Sequence, residues 1–148
     1  MTFDNILVPV DFSDTSIRAV QLAVQLARIS GGRLTLVHIG VVPYFYATEL
    51  GMSGPSGPLY SQLTQDIARE QRTRLERIAR EEVPEEIPCR TLIRDGFPPE
   101  EVVLQVADDA HDCVVMGTHG RTGVKRALLG SVTERVVREC PVPVMVTH

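Results

Sequence analysis

The sequence predicts an α/β fold, an open five-stranded parallel sheet with helices on both faces. Three observations carry this. Short aliphatic runs alternate with segments of helical periodicity along the whole chain. The run at 34–39 is apolar at nearly every position, as a strand covered on both faces should be. Gly31-Gly32, Pro98-Pro99 and Pro141 stand where helices would stop or start.

Ile6-Leu7-Val8-Pro9-Val10 is the first strand. Residues 13–29 follow as a helix, with Ile17, Val20, Val24 and Ala27 at helical spacing, Ser13 as N-cap and Gly31 as terminator. Residues 34–39 form strand two. The stretch at 41–57 holds Pro43, Gly51, Gly54, Pro55 and Gly57 among Tyr44, Phe45 and Tyr46, and reads as a long loop. Residues 59–81 form a charged helix with Leu63, Ile67, Leu75 and Ile78 on its inner face. Its Glu70–Arg74 and Glu76–Arg80 spacings suit i,i+4 ion pairs on a solvated face. Residues 89–93 are strand three. Pro98 and Pro99 open a helix reaching about 109, with Glu100 and Glu101 in the first turn, where acids suit the helix dipole. Residues 113–116 are strand four. A glycine-bearing segment leads to a helix at 131–139, and 142–146 is the last strand.

All 148 residues fit one domain, 1–148, with no internal repeat. A chain of this length buries roughly 70% of its unfolded surface, enough for a core. The net charge of −4 argues against nucleic acid as the main partner, because phosphate backbones select basic surfaces. No apolar run reaches the roughly 18 residues of a membrane span. Met1-Thr2-Phe3-Asp4-Asn5 has no basic leader region, so a cytoplasmic protein is expected. Cys89, Cys113 and Cys140 fit no zinc spacing and are expected as reduced, buried thiols.

The segment from Gly117 to Ser131, Gly-Thr-His-Gly-Arg-Thr-Gly-Val-Lys-Arg-Ala-Leu-Leu-Gly-Ser, follows a strand and enters a helix. Glycines let a phosphate approach the main chain, and the unpaired N–H groups and dipole of the following helix favour an anion. Arg121, Lys125 and Arg126 add positive charge. Ser131-Val132-Thr133-Glu134 also reads as a capping box, which explains Ser131 without a ligand. On the residues alone both readings stay open. Neither G-x-x-x-x-G-K-[ST] nor G-x-G-x-x-G is present.

The spacing Gly117-x2-Gly120-x9-Gly130-Ser131 resembles the nucleotide-binding pattern of the universal stress protein family. Ile6-Leu7-Val8-Pro9-Val10-Asp11-Phe12-Ser13, His38-Ile39, Gly96-Phe97-Pro98 and Pro141-Val142-Pro143-Val144 are similar to that family's opening strand, strand-two exit, helix entry and last strand. Only 41–57 departs from it. The resemblance implies a flavodoxin-like, Rossmann-like sheet of order 3-2-1-4-5, whose crevice Asp11 and Gly117 would flank. It implies an ATP- or AMP-binding stress-response or signalling module; a triphosphate usually travels with Mg²⁺ (or Mn²⁺), of whose ligands the protein need supply few, and no metal-site residue is singled out. It also implies a homodimer through the strand at 142–146.

Carried over by position, Pro9, Val10 and Asp11 line the adenosine pocket, with Asp11 near the ribose hydroxyls. Ile39 meets adenine. Met116 and Gly117 floor the site. His119, Gly120, Gly130, Ser131 and Val132 lie along the phosphates. Asp11 also suits a helix N-terminus, Ile39 a core strand and His119 a plain loop. His38 and His111 are read as structural, and His148 as frayed. No catalytic residue is expected, since no carboxylate or histidine stands out as a water-activating base. His38-Ile39-Gly40-Val41 lacks the second histidine of nucleotidyltransferases. A slow ATPase and a dimer that binds no nucleotide are the alternatives.

Overall fold

The computed structural model describes residues 3–40, 58–118 and 129–148. Strands β1 (Asn5–Pro9), β2 (Arg33–Gly40), β3 (Cys89–Asp95), β4 (Cys113–Gly117) and β5 (Val144–Thr147) form one parallel sheet. Its order is β3-β2-β1-β4-β5, as the resemblance implied. The described helices are α1 (Asp14–Ser30), α2 (Pro58–Glu82), α3 (Pro98–Asp108) and α4 (Ser131–Glu139). The segment at 41–57, expected as a loop, lies outside the described residues.

Two cores sandwich the sheet, and the two-residue period of the strands sorts side chains between them. Ile6, Val8, Leu34 and Leu36 join Ala19, Val20, Ala23, Val24 and Ala27 of α1 and Leu75 and Ile78 of α2. Leu7, Val37, Val114 and Met116 join Val102 and Val106 of α3 and Val136 of α4 on the opposite face. Alanines on α1 leave no bulk to hold the helix off the sheet. α1 starts and stops where its caps dictate. The Ser13 hydroxyl accepts from the Ser16 amide at 3.3 Å, and Gly31 ends the helix at φ 73°.

Several boundaries differ from the sequence reading, each for a tertiary reason. β3 runs on to Asp95 because Arg94, unpromising in a strand, is held from α3. Its guanidinium donates to Glu101 at 2.7 Å, Gln105 at 2.6 Å and Asp108 at 2.8 Å. β5 begins at Val144. Pro143 has no N–H to give, but its carbonyl accepts from the Val114 amide at 2.9 Å. Cys89 is exposed rather than buried, because it opens an edge strand. Cys113 is fully buried, Cys140 half-buried, and all three are free thiols. The expected i,i+4 pairs on α2 are not formed among the described residues. Arg74 lies instead with its guanidinium carbon 4.4 Å from the centre of the Phe12 ring.

Candidate functional site

The sheet grows outward from β1 through β2 to β3, then returns to the other side of β1 for β4 and β5. The connections leaving β1 and β4 therefore depart to opposite faces, and open sheets of this kind bind ligands beyond the carboxyl ends of the strands at such a switch point. Asp11 follows β1 and Gly117 ends β4.

On the β1 side the chain stays paired to β2 one residue past the strand, with the Val10 amide donating to the Val37 carbonyl at 2.8 Å. His38 Nδ1 lies 2.7 Å from the Val10 carbonyl, and both residues are buried. Asp11 is half-buried. Its Oδ1 accepts from the Ser13 amide at 3.0 Å and the Ser13 hydroxyl at 2.5 Å. These bonds arch over Phe12, whose φ is 68°. Ser13 thus caps α1 with one lone pair while its hydroxyl proton is given to Asp11. Pro9, half-buried, is the last residue of β1, opposite Val37. Ile39, near the end of β2, packs against the α3/α4 core. Its pairing with Arg94 places it at the same edge of the sheet.

On the β4 side Met116 is buried under α3 and α4 and Gly117 ends the strand. A β-carbon on Gly117 would come within 2.9 Å of the carbonyl carbon, Cβ and Oγ1 of Thr15 in the first turn of α1. The Gly117 carbonyl accepts from the Thr133 hydroxyl of α4 at 2.8 Å. The Gly130 amide donates to the Thr118 carbonyl at 2.6 Å, and the Thr118 amide to the Thr147 carbonyl at 2.9 Å. The two ends of the glycine segment are therefore tied together at the switch point. His119 and Gly120 lie outside the described residues, as do Arg121, Lys125 and Arg126.

The cap of α4 corrects the sequence reading. Gly130, not Ser131, is the N-cap, with extended backbone and no side-chain cap bond. Ser131 is already the first helical residue, and the Glu134 amide donates to the Gly130 carbonyl at 2.9 Å. The capping box does not form because its serine sits one position too late. Ser131 is exposed and Val132 half-buried. A helix N-terminus without a side-chain acceptor, beside a glycine strand end, can bring backbone N–H groups and positive dipole to an anion.

Thr15, Thr118 and Thr133 were not picked out by sequence reasoning. Thr133 lay inside the string read as a capping box, and its contact to Gly117 depends on how α4 docks. His38 and His111 are both buried, each with Nδ1 against a backbone carbonyl. His111 Nδ1 lies 3.0 Å from the Gln105 carbonyl, and burial pushes its pKa below the usual imidazole value. His148 is exposed, with its Nδ1 3.4 Å from the Thr118 hydroxyl. Among the described residues no three His, Cys, Asp or Glu side chains form a metal cluster, and no helix is long and apolar enough to cross a membrane.

Residues 2–148 match the model of the universal stress protein family. A universal stress protein of Methanocaldococcus jannaschii is 28% identical over 152 residues, covering 97% of this chain and 94% of the relative. A solved structure of that protein superposes with a TM-score of 0.83, covering 99% of this chain and 96% of the other. A universal stress protein of Thermus aquaticus is 32% identical, with 99% of both chains covered. A solved universal stress protein from Archaeoglobus fulgidus, in complex with dAMP, has a TM-score of 0.61 at 23% identity, covering 99% and 98%.

Proposed function

We propose that this chain, which belongs to the universal stress protein family, binds an adenine nucleotide in the crevice between β1 and β4 and works as a binding module rather than a dedicated enzyme. One observation carries the reading. The pattern Gly117-x2-Gly120-x9-Gly130-Ser131 is closed on itself at the switch point by the bond from the Gly130 amide to the Thr118 carbonyl. Glycine at 117 lets the first turn of α1 lie against the end of β4, and the first turn of α4 offers N–H groups to phosphate oxygens. The A. fulgidus relative holds dAMP in the same fold, a likeness that at 23% identity carries the fold alone.

In this reading Asp11 accepts from a ribose hydroxyl, while Pro9, Val10 and Ile39 flank adenosine. Met116 and Gly117 floor the site, and His119, Gly120, Gly130, Ser131 and Val132 follow the phosphates. ATP or AMP is the ligand class, with Mg²⁺ accompanying a triphosphate mostly through phosphate oxygens and water. β5 is the outer strand of the sheet, with no further strand beside it among the described residues, which supports a homodimer by edge pairing.

The test is to denature purified protein and identify released nucleotide by chromatography and mass. ATP, ADP or AMP near one per chain is expected, with a dimer by sedimentation of the same sample. Empty protein with no thermal shift on adding ATP and Mg²⁺ would reject the reading. Steady release of phosphate from added ATP would favour the slow ATPase instead.

A further inference from the structure

We infer that Arg74 on α2 and His38 on β2 are positioning residues for Asp11, acting through the ring of Phe12. This rests on the nucleotide reading above, in which the Asp11 carboxylate meets the ribose. Phe12 holds φ 68°, a left-handed conformation that residues with a bulky side chain rarely adopt. Tertiary contacts from two other elements must hold it there. The His38 ring centroid lies 4.3 Å from that of Phe12 at an interplanar angle of 34°. The Arg74 guanidinium carbon lies 4.4 Å from the Phe12 centroid, within cation–π range.

His38 also reaches the Val10 carbonyl at 2.7 Å, so it holds the chain on both sides of Asp11 at once. The bonds from Ser13 to Asp11 Oδ1 span Phe12. Asp11 therefore cannot pivot unless Phe12 leaves its left-handed conformation. Among the described residues Phe12, Ile67, Glu70, Gln71 and Arg74 line an open cavity of about 230 Å³, and within it the Arg74 guanidinium lies over the ring face.

The clamp predicts an effect confined to the ribose end of the ligand. Titration calorimetry would compare ATP with 2′,3′-dideoxy-ATP, which offers Asp11 no hydroxyl. Arg74→Ala should weaken ATP about two- to fivefold and leave dideoxy-ATP unchanged, while Arg74→Lys, still a cation, retains wild-type discrimination. Phe12→Gly accepts the left-handed turn but removes the ring, so adding Arg74→Ala to it should cause no further loss. Equal loss for both nucleotides, or no loss, would overturn the inference. If the wild-type protein binds neither nucleotide, the nucleotide reading fails, and hydrogen exchange at the Ser13 amide judges the clamp alone. Arg74→Ala should then speed that exchange about two- to fivefold, with amides in the middle of α1 unchanged. An unaltered Ser13 rate would overturn it.

Discussion

A methyl group at Gly117 would press on Thr15 from 2.9 Å, and one of the atoms it meets is backbone, so α1 itself would have to move. We expect Gly117→Ala to cost about 1–3 kcal/mol in urea denaturation, the usual range for overpacking. It should also weaken nucleotide binding, because the displaced turn carries Ser13 and with it the partner of Asp11. An unchanged midpoint would mean that the contact relaxes without strain. Gly31 is a glycine for the other reason. Its φ of 73° suits a residue without a side chain, and there is open space around it. Glycines at 31 and 117 look alike in a sequence and differ in what they do, and only the surroundings separate them.

The two helices that begin beyond the carboxyl ends of β1 and β4 are capped differently, and stability should register this. Ser13 caps α1 and also binds Asp11, so Ser13→Ala should cost about 1 kcal/mol, typical of a lost cap. Ser131 lies within α4, whose cap is Gly130, so Ser131→Ala should change stability by less than about 0.5 kcal/mol. Chemical denaturation of the two variants side by side checks the pair. A large loss at Ser131 would restore the capping box that the sequence suggested. The presence and extent of both helices were legible from apolar spacing. The identity of the second cap was not, because serine or glycine can precede a helix and one residue of register decides between them.

Across the whole molecule the ends of the sheet do different work. The carboxyl edge carries the proposed nucleotide site. The amino edge is a polar knot, where Asp112 accepts from the Asp4 amide at 2.7 Å and Asn5 Nδ2 donates to the Asp109 carbonyl at 2.8 Å. Arg90 pairs with Asp109 at 2.5 Å, which holds that carboxyl below its ordinary range. His111 sits in the same knot with its pKa lowered by burial. The unfolded chain takes up a proton at this histidine near pH 6.5 and the folded chain only at lower pH. Stability from His111 is thus complete above about 6.5 and falls as pH drops below it, by at most about 1.4 kcal/mol per pH unit. Denaturation at pH 7.5 and 5.5 should reveal this decline, and His111→Gln should flatten it. The Asp109 contribution is lost only in more acidic solution, as pH falls below about 4.

The sequence by itself determined which segments became strands and helices. Burial on both sheet faces demands runs such as Ile6-Leu7-Val8, and apolar spacing on α1 demands a helix. The glycine pattern and Asp11 could be singled out in the sequence because both are local in the chain. Tertiary structure decided the rest. That Arg94 belongs to a strand, that Cys89 is exposed, that Thr133 holds Gly117 and that Arg74 covers Phe12 all depend on contacts between residues far apart in the chain. Periodicity records which face of an element is apolar. It does not record which neighbour arrives there, because many partners satisfy the same hydrophobic demand while hydrogen bonds and ring contacts require one geometry.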